Sequence, residues 1–127
     1  MTHLLLVALG GAFGASLRYL SGVAALKLVG PGFPWGTVFV NAVGSLVMGV
    51  FIGLLALKFS DNTELRLFVA TGLLGGFTTF SAFSLDAVTL WARGAMMEAA
   101  LYVFGSVVVA IGFLVVGLLL SRQIFAP

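Results

Sequence analysis

Small polar side chains and two phenylalanines are concentrated in residues 72–84, which read GLLGGFTTFSAFS. Phe80 and Phe83 are three residues apart, so a helix would place both rings on one face and the hydroxyls of Ser81 and Ser84 on a neighbouring face. Hydroxyl groups donate hydrogen bonds, and the edge of a phenyl ring carries the positive part of its quadrupole. This combination suits a small anion. The alternative is an aromatic core in which the serines bond back to their own helix.

Neutral hydrogen-bond donors also occur elsewhere within apolar stretches. Asn41 is one, and Tyr102 and Ser106 form another pair one helical turn apart on the same face. Asp and Glu are absent from the interior of these stretches, and Asp86 stands only at the end of one. A proton-driven pump that works through a buried acid therefore has little to use, and the neutral donors favour passive conduction.

The residue types argue against catalysis. The chain has no cysteine and a single histidine, His3, and it has no carboxylate pair and no Ser/His/Asp set that could meet within a membrane. The lack of cysteine also excludes disulfides, thiolate zinc sites and iron–sulfur clusters. The net charge of +2 is too small for a nucleic-acid footprint. We therefore predict neither an enzyme nor a nucleic-acid partner.

The elements that must position these residues are membrane-spanning helices. Of the 127 residues, 61% are hydrophobic and only 8% are charged, against roughly 25% charged in soluble domains. Four stretches approach the roughly 20 apolar residues that one crossing needs. We predict an all-α integral membrane protein with one domain, residues 1–127, surrounded by lipid, and with helices at residues 4–26, 37–57, 67–85 and 99–121. The first stretch lacks the basic start of a cleaved signal.

Three segments are predicted to connect these helices. Residues 30–36, GPGFPWG, cannot continue a helix and place a tryptophan at the interface. Residues 58–66 form a polar turn. Residues 86–98 contain Asp86, Trp91, Arg93 and Glu98, which is the profile of an interfacial connection.

The third helix is predicted to break near its middle. Two adjacent glycines, Gly75 and Gly76, are followed by the β-branched Thr78 and Thr79, and all four are weak helix formers. Non-helical backbone at membrane depth requires protein, water or an ion around it. Carbonyl groups freed by such a break are a ready cation site.

Small residues recur every four positions on two of the helices, which permits close packing of membrane helices. The two stripes are Gly10, Gly14, Arg18 and Gly22 in the first helix, and Asn41, Ser45, Gly49 and Gly53 in the second. Both are expected to face protein. A lipid-facing arginine at mid-bilayer costs roughly 2.5–3.5 kcal/mol or more, so Arg18 faces the bundle interior or a wet cavity. The sequence leaves open whether Arg18 ties helices together or lines a vestibule.

Positive charges show no bias that would fix the orientation of the chain in the membrane. Four crossings place Lys58, Arg66 and Arg122 on one side, and Lys27, Arg93 and in one rotamer Arg18 on the other. The chain can therefore insert both ways up, and an antiparallel homodimer is the simplest assembly that uses both orientations. The alternative is that one residue tips the balance toward a single orientation.

The motif GGFTTFSAFS at residues 75–84, with GTVFVN at 36–41 and GASLR at 14–18, resembles the Fluc (CrcB-type) fluoride channel family over essentially the whole chain. The resemblance implies a four-helix subunit that assembles as a dual-topology, antiparallel homodimer with two pores. Such a channel passively exports cytoplasmic fluoride across the microbial inner membrane and so lowers fluoride toxicity.

The resemblance also implies roles for individual residues. The pore residues would be the phenylalanines Phe80 and Phe83, the amide of Asn41, and a polar track of Ser81, Ser84, Tyr102 and Ser106. The carbonyls of Gly75 and Thr78, from both subunits, would hold a structural sodium ion on the dimer axis. Arg18 corresponds to a basic residue near the aqueous vestibule.

The chain departs from the family pattern at three positions. Ala82 stands where members often have threonine, Asp86 where they often have glutamate, and Ala110 where a polar residue is common. Two rival functions remain at this point. A small multidrug-type proton antiporter would need a membrane acid early in the chain, where there is none, and a non-transporting scaffold would use the glycine stripes for packing alone.

Overall fold

The computed structural model describes residues 1–126, which are helical apart from short connections. The elements in chain order are α1 (Thr2–Val29), α2 (Trp35–Lys58), α3 (Thr63–Arg66), a π-helical segment (Leu67–Leu74), α4 (Gly75–Phe77), α5 (Ser81–Ala92) and α6 (Met96–Phe125). The chain from Thr63 to Ala92 forms one crossing, so four helices are long and apolar enough to span a membrane. The predicted all-α membrane architecture with four crossings is confirmed.

Each crossing extends beyond the predicted span, because charged residues lie within the helix ends. Lys27, Lys58 and Arg122 fall in the last turns of α1, α2 and α6. A positive charge there interacts favourably with the unpaired carbonyl groups of a helix end. The long side chains also reach the interface while their stems stay in apolar surroundings.

The connection predicted at residues 86–98 is wrong for most of its length. Helix α5 continues through Asp86 to Ala92, and α6 begins at Met96. The turn between them contains Gly94, whose φ of 83° favours glycine. Asp86 does not end the helix because its Oδ2 accepts hydrogen bonds from two other helices, as described below.

Close backbone contacts between small residues join the helices in two pairs. Helix α2 runs parallel to α6, and a Cβ atom on Gly49 would lie 3.1 Å from the Cα atom of Gly117. Helix α1 runs parallel to the π-helical segment, and a Cβ atom on Gly10 would lie 3.0 Å from the Cα atom of Gly72. The glycines of both predicted stripes therefore face protein except Gly22, where an added Cβ atom would meet open space. The crossings cannot separate without losing these contacts.

A small apolar core lies at the end of the bundle near the turn between α5 and α6. Leu90, Ala99 and Tyr102 are buried there, and Phe33 and Phe83 pack against them. Most other large apolar side chains are exposed along the outer faces of the helices, as is Phe104 on α6 at 73%. This surface requires lipid or another subunit to cover it.

The break predicted in the third crossing is present. Helix α4 ends at Phe77, Thr78 is extended with φ −80° and ψ 161°, and α5 begins only at Ser81. The eight residues before α4 form a wide π-helical turn. This irregular backbone lies inside the bundle, where its polar groups need partners.

Candidate functional site

The side chain of Asn41 on α2 forms hydrogen bonds with the non-helical backbone of the break. Its Nδ2 donates to the carbonyl oxygen of Thr79 at 3.0 Å, and the Thr79 N–H donates to its Oδ1 at 2.8 Å. One side-chain amide thus satisfies both backbone groups of a residue that has left the helix. Because Nδ2 carries two hydrogens, one N–H of Asn41 remains available to the surroundings.

Threonine side chains satisfy further groups at the break. The N–H and the hydroxyl of Thr78 both donate to the carbonyl of Leu74, at 3.0 and 2.9 Å. The hydroxyl oxygen of Thr79 accepts from the Ala82 N–H at 3.1 Å, which caps the start of α5. The hydroxyl of Thr78 therefore donates to backbone, whereas that of Thr79 accepts from backbone and lies 3.5 Å from the hydroxyl of Ser81.

Arg18 joins α1 to the break. Its Nε donates to the carbonyl of Gly76 at 3.0 Å, across 58 residues of sequence. Of the two roles left open for Arg18, the structure shows this tie between helices directly. A carbonyl that has lost its helical donor is an appropriate acceptor for a guanidinium group inside a bundle.

Two carbonyl groups at the break have no hydrogen-bond donor within residues 1–126. They belong to Gly75 and Thr78, and the donors that would reach them in a continuous helix are directed to Asn41 and Thr79 instead. Gly75 is exposed in the single chain and Thr78 is half-buried. Unpaired carbonyl oxygens of this kind are suitable ligands for a hard cation.

Next to the break is a groove of about 240 Å³ between α2, α5 and α6. Its lining residues are Asn41, Ser45, Thr78, Thr79, Phe80, Phe83, Ser106, Val107 and Ala110. The two phenyl rings lie on one wall with their centroids 5.5 Å apart and their planes at 42°. The structure thus brings together four of the residues that the sequence singled out: Asn41, Phe80, Phe83 and Ser106.

Ser106 is the polar residue that joins this groove to a second cavity. Its Oγ atom is buried and has no hydrogen-bond partner within the described residues. The second cavity, about 700 Å³, is also lined by Tyr102 and Glu98. A buried hydroxyl without a partner is uncommon in proteins, and its presence points to a ligand or a water molecule.

Three other predicted site residues do not line the groove in the single chain. Ser84 donates its hydroxyl hydrogen to the carbonyl of Phe80 in its own helix at 2.9 Å, as the alternative interpretation expected. Ser81 is exposed, 3.5 Å from the hydroxyl of Thr79. Tyr102 is 1% exposed and bonds to Asp86.

Asp86, Thr37 and Tyr102 form a polar cluster that links α5, α2 and α6. The carboxylate oxygen Oδ2 of Asp86 accepts from the Thr37 hydroxyl at 2.7 Å and from the Tyr102 hydroxyl at 2.9 Å. The ring of Tyr102 packs against Phe83, with centroids 5.2 Å apart. This cluster therefore braces one of the two groove phenylalanines.

Sequence reasoning missed Thr37 and Ser45 as parts of this region. Nothing in the sequence marks Thr37, because its partner Asp86 is 49 residues away. Ser45 follows Asn41 by one helical turn on the same stripe, but the spacing of small residues in that stripe indicates helix packing and not ion binding. Within residues 1–126 there is no group of three or more His, Cys, Asp or Glu that could hold a metal ion.

Comparison with known proteins adds a family match and close relatives. A family model described as "CrcB-like protein, Camphor Resistance (CrcB)" matches residues 5–118. The chain is 56% identical to the "Fluoride-specific ion channel FluC" of Mesorhizobium japonicum, covering 98% of this chain and 99% of the relative. Proteins of the same name from Agrobacterium fabrum and a Chelativorans species are 51% and 55% identical, again over 98% of this chain and at least 99% of theirs.

Proposed function

Since this chain belongs to the CrcB-like family, we propose that it is a fluoride-specific ion channel of the bacterial inner membrane. It crosses the membrane with four helices and gives cytoplasmic fluoride a passive way out of the cell, which lowers fluoride toxicity. The observation that carries the proposal is the 56% identity, over nearly the full length of both chains, to a relative named as a fluoride-specific channel.

The chemistry of the groove agrees with this function. Fluoride is small and tightly hydrated, so a selective path must replace its water with close hydrogen-bond donors. The groove offers the free N–H of Asn41 and the unpartnered hydroxyl of Ser106, beside the rings of Phe80 and Phe83. Ring edges present positive potential without a fixed charge. An anion can therefore be held without being trapped by a cation.

Neither rival function has support. A proton-coupled antiporter needs a carboxylate that can change its protonation state in the transport path. Helix α1 contains no acid, and Asp86 is fixed by two hydrogen bonds. A scaffold built from glycine contacts would not need a groove with an unpartnered buried hydroxyl.

Ion release from liposomes tests the function. Protein reconstituted into liposomes loaded with potassium fluoride should release fluoride when valinomycin shunts the potassium. Liposomes loaded with potassium chloride should retain their chloride. Equal release of both halides would contradict fluoride specificity, and no release from folded protein would favour the scaffold.

The functional unit that we propose is a dual-topology, antiparallel homodimer with two pores. In the single chain one side of the groove is uncovered, and Phe80 is 78% exposed. The charges of the chain do not favour one orientation, so two inverted copies are equally accessible. A second copy would cover the exposed rings and carbonyls of the break.

Labelling of Lys58 from one side tests the orientation. An amine reagent that cannot cross the membrane should label about half of the Lys58 side chains in intact cells, and all of them after the membrane is made permeable. Lys27, at the other end of the first two crossings, is the matched position and should also be labelled to about half. Complete or absent labelling at either position in intact cells would contradict the mixed orientation.

A structural sodium ion is part of this proposed dimer. The carbonyls of Gly75 and Thr78 fit the ion, because they are oxygen ligands without hydrogen-bond donors within residues 1–126 and Gly75 is exposed in the single chain. Two copies would supply four such carbonyls around the dimer axis. The ion would neutralise the converging dipoles and take no part in moving fluoride.

Thermal unfolding in different salts tests the sodium ion. The detergent-solubilised protein should unfold at a higher temperature in sodium chloride than in N-methylglucamine chloride at the same ionic strength, since a cation bound only to the folded dimer stabilises it. Equal unfolding temperatures in the two salts would contradict the site.

We propose that four further residues contribute to the fluoride path, each in a different way: Ser81, Ser84, Tyr102 and Arg18. Ser81 is exposed and available to an ion in the covered dimer. Ser84 must release its bond to Phe80 before it can donate to fluoride. Tyr102 lines the second cavity through which the ion reaches Ser106. The guanidinium nitrogens of Arg18 that are not bonded to Gly76 can attract anions.

A further inference from the structure

The groove contains one hydroxyl that the break does not use and that has no assigned role, that of Ser45. The Thr78 hydroxyl donates to a backbone carbonyl, the Thr79 hydroxyl accepts from a backbone N–H, and Asn41 uses all but one N–H on Thr79. Within residues 1–126, Ser45 and Ser106 are the lining residues whose hydroxyls make no hydrogen bond at all.

The lack of an intrahelical bond at Ser45 is informative. A serine inside a helix commonly donates to the carbonyl four residues earlier. Ser16, Ser21 and Ser84 all do so here, at 2.7, 2.8 and 2.9 Å. Ser45, although it is half-buried in the middle of α2, makes no such bond to the carbonyl of Asn41. Its hydroxyl is therefore free to donate into the groove.

The register of α2 and α6 places Ser45 at the far end of the groove from Ser106. Gly49 opposes Gly117 and the two helices run parallel, so Asn41 is level with a position about three residues beyond Ser106. At 1.5 Å per residue, Asn41 lies roughly 4.5 Å along the axis from Ser106, and Ser45 lies roughly 6 Å farther. The free donors thus follow one another in the order Ser106, Asn41, Ser45.

On α6 the same part of the groove has no donor. Val107 and Ala110 line it with alkyl groups only. Beyond Asn41, a fluoride ion that moves along this groove would meet no hydroxyl from α6. Ser45 on the opposing helix supplies one.

We propose that Ser45 is a further fluoride-binding residue, whose hydroxyl donates a hydrogen bond to the dehydrated ion one helical turn beyond Asn41. This inference rests on the proposed channel function and adds a second position to the groove. A neutral hydroxyl suits a transient site, because it replaces part of the hydration of the ion without the strong attraction of a charged side chain. Ala110 offers no donor on the opposite wall, so Ser45 is the hydroxyl that can contact the ion at this level of the groove.

Substitution of Ser45 tests the proposal in liposomes at a fluoride concentration well below saturation. Ser45→Ala should reduce fluoride release about tenfold, the cost of one hydrogen bond to an ion. Ser16→Ala is the matched control, because Ser16 is an exposed serine bonded to its own helix, and it should release fluoride at the wild-type rate. Unfolding temperatures of both variants should stay close to that of the wild type.

Two additional variants distinguish the effect of losing the hydroxyl from the effect of changing the shape of the side chain. Ser45→Thr restores a hydroxyl and should release fluoride several times faster than Ser45→Ala. The double variant Ser45→Ala, Ala110→Ser places a hydroxyl on the opposite wall and should also recover part of the rate. Wild-type rates in Ser45→Ala, or equally slow release in all three variants, would overturn the proposal. A wild-type protein that releases no fluoride would instead overturn the channel function itself.

Discussion

Replacing Phe80 with leucine is expected to stop fluoride release almost completely, by about a hundredfold or more. Leucine keeps much of the volume but removes the aromatic ring, whose edge carries positive potential. A fluoride ion that has given up water would then face an alkyl group with no favourable electrostatic contact. A hundredfold loss corresponds to about 2.7 kcal/mol in the barrier, a reasonable effect for one group that touches a bare ion.

Folding should survive this change, which makes the result interpretable. Phe80 is 78% exposed in the single chain and contributes little to its packing. Phe13→Leu on α1 is the matched control, since Phe13 is 61% exposed and lies away from the groove. The control should release fluoride at the wild-type rate. If Phe80→Leu released fluoride as fast as Phe13→Leu, Phe80 would not belong to the path.

Replacing Asn41 with leucine is expected to damage both the fold and the flux. The N–H and carbonyl of Thr79 would lose their partners inside the bundle, and each unsatisfied backbone group costs about 1–3 kcal/mol. The free energy of unfolding should therefore fall by about 3 kcal/mol or more. Fluoride release should fall with it, because the break that positions Phe80 would no longer be held.

Asn41→Asp and Asn62→Ala provide graded comparisons. Aspartate keeps the acceptor for the Thr79 N–H but places an oxygen against the Thr79 carbonyl, so an intermediate loss is expected. Asn62 also bonds to backbone, because its Oδ1 accepts from the Leu65 N–H at 2.9 Å in the turn before α3. Asn62→Ala should lower the free energy of unfolding by about 1 kcal/mol and leave the rate of fluoride release unchanged. Unfolding in a denaturing detergent measures the change in stability, and release from liposomes measures the change in fluoride flux. Unchanged stability in Asn41→Leu would contradict the bracing role.

The contrast between Asn41 and Ser45 separates positioning from ion binding. Both side chains lie on the same face of α2 and line the same groove. Loss of Asn41 should lower stability and flux together, whereas loss of Ser45 should lower flux alone. A stability measurement therefore distinguishes two roles that liposome assays would confuse.

The sequence predicts the crossings well because their cause is local. Long stretches without charge must be covered by lipid or protein, and Gly75, Gly76, Thr78 and Thr79 are poor helix formers wherever they stand. The four crossings and the break follow from these properties. The helix ends differ because Lys58 and similar residues can remain helical while their charged groups reach the interface.

The polar contacts could not be predicted in the same way, because each depends on a partner far along the chain. The sequence predicts a helix end at Asp86, whereas the hydroxyls of Thr37 and Tyr102 donate to its carboxylate and the helix continues. The sequence identified Ser84 as polar but could not show that its hydroxyl bonds to Phe80. Hydrogen-bond partners thus decide which of several similar hydroxyls remain free, and only the folded chain supplies them.

The central position of the break has an electrical consequence. Helix α5, with 12 residues, extends about 18 Å to one side of the break, and the chain from Thr63 to Phe77 extends a similar distance to the other. An anion beside Phe80 has therefore crossed roughly half of the transmembrane voltage, worth about 1.1 kcal/mol for every 100 mV. In a cell with a negative interior, this voltage drives fluoride outward on both halves of its route. The membrane potential alone can therefore keep the fluoride concentration in the cytoplasm below that outside the cell.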